Sequence, residues 1–435
     1  MARYVIEGGT PLRGSITTNT TKNSTIAILC ASLMIKGKVV IKDVPAIEEV
    51  PRIIEILESI GVLVSWKDQH TIEIDSSNSL TLDDIHKKAC ERTRASLLLM
   101  GALAGRAKGT YKLYKSGGCK LGKRTVRPHV YALEKLGIHV ASKRRWYEVT
   151  NKKLQAADIV MYEAGDTPTE NAIMAAVLAS GKTTIKFASA NYMVQDLCYF
   201  LRAAGAKIKG IGTTTLTITG VKNLRSVTEY AIMPDPIEAF AWISLGVTTQ
   251  SPITIKNCPV DFLELELEKL RIMGQKFSFQ KKRTSKNGTF RIADIVLKPS
   301  ILTALQDKIS CQPFPGLNID NLPFFGPIAT QAEGRTLIHD WVYENRALYH
   351  LEMQKLGANV MLLDPHRVMI EGKTPLVANE ALCPPAIRPG MALLIAMVAA
   401  KGQSKLRNVY PIERAYSDVE ERLRALGADI IREES

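Results

Sequence analysis

The sequence predicts an α/β protein of two domains, each built from three copies of one repeated unit. Three observations predict it. A leucine-rich helix end, a glycine and a short strand recur six times along the chain. A small-residue helix, a glycine and a β-branched strand precede each recurrence. The 435 residues exceed what one ordinary hydrophobic core serves, so two domains are the natural division.

The first pattern reads Leu57-Glu58-Ser59-Ile60-Gly61-Val62, then Leu133-Glu134-Lys135-Leu136-Gly137-Ile138, then Leu201-Arg202-Ala203-Ala204-Gly205-Ala206. It continues as Leu270-Arg271-Ile272-Met273-Gly274-Gln275, Met353-Gln354-Lys355-Leu356-Gly357-Ala358 and Leu423-Arg424-Ala425-Leu426-Gly427-Ala428. The glycine stands where a helix ends on a left-handed residue. The residues after it alternate as a strand should, as in Ile138-His139-Val140. The second pattern has Gly37, Gly109, Gly181, Gly334 and Gly402 between helix and strand, with Ser251-Pro252 replacing the glycine in the fourth copy. Each unit of roughly 70 to 80 residues carries two helices and several strands. Helices apolar nearly all round, such as Ala172 to Ala179, are expected inside, and amphipathic ones, such as Val419 to Leu426, outside. Three units per domain place the midpoint near Tyr230 to Glu238, where Pro234-Asp235-Pro236 reads as a linker.

Composition narrows the function. Hydrophobic residues make up 46% and charged residues 23%, as in soluble globular proteins. No run of about 18 apolar residues suggests a membrane span, and the start, Met1 to Glu7, lacks the apolar stretch of a signal peptide. A cytoplasmic protein is expected, with no membrane partner. The seven cysteines (30, 90, 119, 198, 258, 311 and 383) are odd in number and form no CxxC pair, which argues against a disulfide framework or zinc site. A net charge of +14 favours anionic partners. Lys143-Arg144-Arg145 and Lys281-Lys282-Arg283 read as solvated hairpin tips.

One segment departs from that bland pattern. Ser116-Gly117-Gly118-Cys119-Lys120-Leu121-Gly122-Lys123-Arg124 places a thiol among cations in a glycine-rich loop. Neighbouring positive charge lowers a thiol's pKa, and the glycines give the backbone freedom to close on an anion. The histidines are scattered, and only His129, just after the loop, invites attention. No metal-ligand cluster, dinucleotide motif or P-loop is present, so no cofactor is expected.

Six units in two three-fold lobes, with these motifs, resemble the enolpyruvyl transferases, and within them the branch acting on UDP-N-acetylglucosamine in peptidoglycan synthesis. The resemblance covers essentially the whole chain. It implies a two-domain inside-out α/β barrel of six two-helix, four-strand units, three per domain, with helices inside and sheets outside. It implies one lobe at residues 22–233, a second at 1–21 plus 234–435, and ligands in the cleft between them. The implied partners are phosphoenolpyruvate and UDP-N-acetylglucosamine, without nucleic acid.

The same resemblance assigns residues. Thr21-Lys22-Asn23-Ser24 matches the family's lysine–asparagine pair, so Lys22 would hold the donor's phosphate and Asn23 the sugar. Arg94, in Arg92-Thr93-Arg94-Ala95-Ser96, aligns with an arginine near the substrates. Cys119 would deliver a proton to the donor's methylene carbon or form an adduct there, and Arg124 would pair with phosphate or carboxylate. Pro315-Gly316-Leu317-Asn318-Ile319-Asp320-Asn321-Leu322-Pro323 places Asp320 on the family's catalytic aspartate. Tyr343-Glu344-Asn345-Arg346 matches Phe-Glu-Asn-Arg, which puts Arg346 near the nucleotide sugar with Glu344 as its expected partner. Arg388 and Arg414 match the two arginines that complete the donor site, Arg414 also counting as catalytic. Thr169-Glu170-Asn171 keeps the end of a segment that grips nucleotide phosphates, Thr169 being the implied contact.

Three positions depart from the family pattern. Gly165-Asp166-Thr167-Pro168 stands for Ser-Val-Gly-Ala, Arg127 for an aspartate on the uracil side, and Pro236 for an arginine. The chemistry motifs are kept better than the nucleotide motifs. A paralogue using another nucleotide acceptor therefore stays open as an alternative. A basic nucleic-acid-binding protein made of the same repeat is a further one, against which stands an aromatic content of only 6%.

Overall fold

The structure, a computed structural model, describes residues 2–434 except 84, 108 and 117–124. They form two compact units. An internal unit holds residues 20–116 and 125–233, and a terminal unit holds 2–19 and 234–434.

Each unit contains three sheets, six in all among the described residues. In the internal unit they run, in spatial order, Val227–Ala231, Lys38–Lys42, Ile72–Asp75, Leu63–Trp66; then Gly109–Tyr114, Trp146–Asn151, Ile138–Ser142; then Lys207–Lys209, Thr215–Thr219, Lys182–Lys186, Asp158–Val160. In the terminal unit one sheet runs Lys276–Thr284, Arg291–Lys298, Ile253–Pro259, Gly14–Thr17. A second centres on Ala332–His339 and Arg367–Gly372, and the third runs Glu380–Leu382, Gly402–Arg407, Arg3–Gly8, Asp429–Glu433. The ladders mix parallel and antiparallel pairs: Asp158–Val160 pairs in parallel with Lys182–Lys186, which pairs antiparallel with Thr215–Thr219.

The strands bury one face, as in Lys38–Lys42, where Val39 and Ile41 are inside. The apolar helices fill what those faces enclose. Pro236–Thr248 is buried at every residue, and Asp166–Val177 from Pro168 to its end. Lys22–Ala31 and Ile387–Ala399 are buried over most of their length. Such sequences have no polar stripe to offer water, so only the middle of a unit accommodates them. Val419–Ala425, by contrast, buries Val419 and Leu423 and exposes its charged side. Sheets outside and helices inside are thus what the composition of each helix dictates.

The repeat glycine adopts left-handed φ in all six copies, from +82° at Gly357 to +99° at Gly205. At Gly205 the geometry closes two bonds at once: Gly205 N–H donates to Arg202 O and Ala206 N–H to Leu201 O, both at 2.9 Å. That reversal satisfies the last helical carbonyls and sends the chain back along the helix. In the fourth copy, where glycine is missing before the strand, Gln250 takes the left-handed conformation (φ +52°). Ser251 there is buried, and its hydroxyl accepts the amide of Leu12 at 2.7 Å.

One sequence reading is refined and another corrected. Pro234-Asp235-Pro236 does stand where the chain passes from the internal to the terminal unit, and it is there a buried helix start. The Asp235 carboxylate accepts the amides of Ile237 (2.8 Å) and Glu238 (3.3 Å), and burial raises its pKa to about 6. Lys281-Lys282-Arg283 lies within the Lys276–Thr284 strand at a register shift, with Arg283 3.1 Å from Asp294. Lys143 to Arg145 do occupy the turn between Ile138–Ser142 and Trp146–Asn151. Among the described residues no helix is long and apolar enough to cross a membrane.

Candidate active site

In the internal unit the basic candidates stand at helix starts. Lys22 opens Lys22–Ala31, and Arg94 opens the 3-10 helix Arg94–Leu98, whose cap is the Thr93 hydroxyl. Arg127 opens Arg127–Lys135. A cation there faces the positive end of the helix dipole, which costs stability unless an anion is close. Lys22 Nζ has Glu49 Oε1 at 3.8 Å. Asn23 Nδ2 donates to the Tyr192 hydroxyl (3.1 Å), and an Arg94 Nη donates to Thr125 O (3.2 Å). Helix ends and cations together give this unit a field that attracts an anion.

His129 is buried and neutral. Its Nδ1 accepts from Asn171 Nδ2 at 2.8 Å and its Nε2 faces Thr167 Oγ at 3.4 Å. Burial, aided by Arg94, pushes its pKa down to about 3. Asn171 also donates to Leu97 O and accepts from Gly101 N, so the pair pins three helical segments together. Asp166, at the start of Asp166–Val177, accepts from Ser189 Oγ (2.6 Å) and Asn191 Nδ2 (3.2 Å). Thr169 is buried, its hydroxyl donating to Gly165 O (2.7 Å) and accepting from Ser189 N (3.0 Å). Burial raises the Glu170 carboxyl well above the ordinary range, with Asp166 adding to the effect.

The terminal unit gathers two of its candidate arginines, Arg346 and Arg388, around the Asp320 carboxylate. Asp320 Oδ1 stands 3.8 Å from an Arg346 Nη, and Asp320 Oδ2 stands 3.5 Å from Arg388 Nε. Arg346 is only 2% exposed. Its Nε donates to Asp340, an Nη donates to Ile319 O at 2.7 Å, and its guanidinium lies 4.5 Å from the Tyr343 ring centre. Arg388, second in Ile387–Ala399, lies 5.2 Å from the buried Tyr416 ring. Asp320 is partly open, and its own amide is held by Asn318 Oδ1 at 2.9 Å. Arg414 sits at the end of the Tyr410–Glu413 helix with Nε buried and without a hydrogen-bond partner among the described residues. An N–H in that state costs about 1–3 kcal/mol, a penalty that a bound anion would remove.

Glu344 is exposed and does not hold Arg346; the carboxylates that do are Asp340 and Asp320. Asn345 between them has φ +60°, so the chain turns before Arg346 enters the interior. Asp340 escaped the sequence reading because its pairing depends on tertiary packing and has no periodic signature. Cys119 and Arg124 lie outside the described residues.

The structure resembles solved enolpyruvyl transferases throughout. The enolpyruvyl transferase NikO from Streptomyces tendae superposes with a TM-score of 0.85 at 24% identity, covering 100% of this chain and 99% of that one. The EPSP synthase from Acinetobacter baumannii gives 0.80 at 17% identity, with 100% of both chains covered. The fold is therefore the two-domain inside-out α/β fold of the enolpyruvyl transferases.

The family model of EPSP synthase (3-phosphoshikimate 1-carboxyvinyltransferase) matches residues 6–423, and the chain belongs to that family of transferases. Curated relatives extend the likeness over the full length. The UDP-N-acetylglucosamine 1-carboxyvinyltransferase of Bradyrhizobium diazoefficiens is 37% identical, over 99% of this chain and 98% of its own. The protein of the same name from Bacteroides thetaiotaomicron is 35% identical over 99% and 100%.

Proposed function

We propose that this enzyme transfers the enolpyruvyl group of phosphoenolpyruvate to the 3-hydroxyl of UDP-N-acetylglucosamine and releases phosphate, the first committed step of peptidoglycan synthesis, in the cytoplasm. The observation that carries the reading is the Asp320 carboxylate set between Arg346 and Arg388. The full-length relatives support the choice of acceptor.

In this reading Asp320 takes the proton of the acceptor hydroxyl as its oxygen attacks C2 of phosphoenolpyruvate, and Cys119 gives a proton to C3. The product is a tetrahedral phospho-ketal. Loss of a proton from C3 re-forms the double bond as the C2–O bond to phosphate breaks. Lys22, Arg124, Arg388 and Arg414 carry the donor's phosphate and carboxylate, which are multiply charged throughout. Asn23, Arg94 and Arg346 position the acceptor. Thr169, with hydroxyl and amide both engaged in the fold, serves by fixing the segment before it.

The test is phosphate release from phosphoenolpyruvate plus UDP-N-acetylglucosamine, with Cys119→Ala alongside. Release that needs both substrates and the thiol is the expected result. Binding of phosphoenolpyruvate without release would transfer the reading to another nucleotide acceptor. Absence of phosphoenolpyruvate binding would end it.

A further inference from the structure

Glu266 is buried where its surroundings call for an apolar side chain. It lies in helix Glu264–Ile272, whose other buried residues are Leu267 and Leu270, and it is only 2% exposed. It enters no salt bridge among the described residues; Lys269, one turn further on, acts on it at longer range. Burial raises its pKa. A carboxylate taken out of water without a close counter-ion is costly, so its polar atoms need partners elsewhere.

Those partners come from the turn that carries Asp320. Glu266 Oε1 accepts the Asn318 amide at 3.2 Å and the Asn321 side-chain Nδ2 at 2.8 Å. These two residues are the ends of a four-residue turn, closed by Asn321 N–H donating to Asn318 O at 3.0 Å. Asp320 is the third residue of that turn, and its amide donates to Asn318 Oδ1 at 2.9 Å. One carboxylate oxygen, fixed on a helix, thus grips the chain on both sides of Asp320. Asn321 is wholly buried, so its Nδ2 has no water to replace Glu266.

Arg346 holds the same turn at another point, through Ile319 O at 2.7 Å. The distances from the Asp320 carboxylate to Arg388 and Arg346 are 3.5 and 3.8 Å, longer than good hydrogen bonds. The direction of the carboxylate therefore depends on the backbone that carries it, and that backbone is what Glu266 secures.

We propose that Glu266 is a positioning residue for the transfer: it clamps the 318–321 turn through Asn318 and Asn321 and so aims Asp320 at the acceptor hydroxyl, an assignment that rests on reading Asp320 as the base. Its effect passes through Asp320 alone. Oε1 is an acceptor whether or not the other oxygen carries a proton, so a glutamine can serve the same purpose.

Two measurements on the full chain test this. Hydrogen exchange of the peptide 317–322 needs no substrate. Glu266→Leu should speed it about tenfold, and Glu266→Gln should not. Phosphate release from phosphoenolpyruvate and UDP-N-acetylglucosamine is the second. Glu266→Leu is expected to lower kcat about a hundredfold while KM for phosphoenolpyruvate changes little, since a base displaced by about 1 Å loses that much. Glu266→Gln should restore most of the turnover. In the Asp320→Asn background Glu266→Leu should cost nothing further, because its route to the reaction is already cut. A residue that merely supports the fold would slow both backgrounds alike.

Should Glu266→Leu fail to fold, Asn321→Ala carries the same comparisons, since it cuts the link from the side of the turn. Unchanged exchange of 317–322 would overturn the clamp. A glutamine variant as slow as the leucine one, or an equal loss in both backgrounds, would overturn the aiming of Asp320. Exchange that responds as expected in a wild type that releases no phosphate would sink the transferase reading and the aiming with it, and leave the clamp standing.

Discussion

Asp340 accepts the Nε–H of Arg346 with both side chains almost wholly buried, and Arg346 in turn faces Asp320. The other Asp340 oxygen accepts the Tyr343 amide at 3.3 Å, and its backbone is locked to His366 by hydrogen bonds of 2.7 and 2.8 Å. Asp340 is thus the fixed end of a chain of charges that leads to the proposed base.

Removing that fixed end should be severe. Asp340→Ala leaves the Arg346 charge buried with only a partly exposed partner at 3.8 Å, and such uncompensated charges cost about 3–5 kcal/mol. Urea unfolding is expected to show a loss in that range, and Asp340→Asn a smaller one. A loss below about 1 kcal/mol for the alanine variant would mean that the pair contributes little.

Asp320→Asn tests the base directly. The amide keeps the size of the side chain and its place between Arg346 and Arg388 but cannot take a proton. Phosphate release should fall by about 10²–10⁴-fold, with phosphoenolpyruvate binding retained. Near-normal turnover would remove Asp320 from the reaction.

The repeat glycines allow a controlled comparison. Gly137 and Gly427 share φ +90°. A Cβ at Gly427 would meet nothing within 4 Å, whereas one at Gly137 would stand 2.6 Å from Lys153 O. Gly427→Ala is expected to cost the backbone strain alone, about 1–2 kcal/mol. Gly137→Ala should cost distinctly more. Equal unfolding midpoints for the two variants would contradict the geometry.

His129 makes a pH prediction. The folded protein holds it neutral down to about pH 3, while the unfolded chain takes up the proton near pH 6.5. Its contribution to stability is therefore complete above pH 6.5 and is lost progressively as the pH falls towards 3. His129→Gln, which cannot titrate, should be less stable than wild type at pH 7, with the gap narrowing between pH 6.5 and 4. Asp196 and Asp235, both raised to about 6 by burial, carry the opposite slope but carry it equally in both proteins. A gap independent of pH would count against a neutral buried imidazole.

Much of the fold was legible because its rules are local. A glycine that must be left-handed announces itself wherever the helix ends, and a helix as apolar as Pro236–Thr248 has only the interior to go to. The site was legible only where motifs named it. Glu344 looked like the partner of Arg346 by adjacency, yet one left-handed residue at Asn345 was enough to separate them. Asp340 and Glu266 were invisible in the sequence, since the pairing of each depends on segments that meet only in the folded unit. The basic run at Lys281 misled for a related reason: a register shift can carry charged residues through a strand without ending it.

The strand Arg3–Gly8 lies between Gly402–Arg407 and Asp429–Glu433, residue Arg3 opposite both Arg407 and Glu433. That arrangement governs how the molecule comes into being. In a chain made amino end first, that strand emerges well before the two neighbours it needs, which follow the whole of the internal unit. The internal unit, by contrast, closes its first sheet when Val227–Ala231 reaches Lys38–Lys42 and has all of its own residues by position 233. Synthesis therefore imposes an order: the internal unit has all of its residues while strand Arg3–Gly8 still awaits both of its partners.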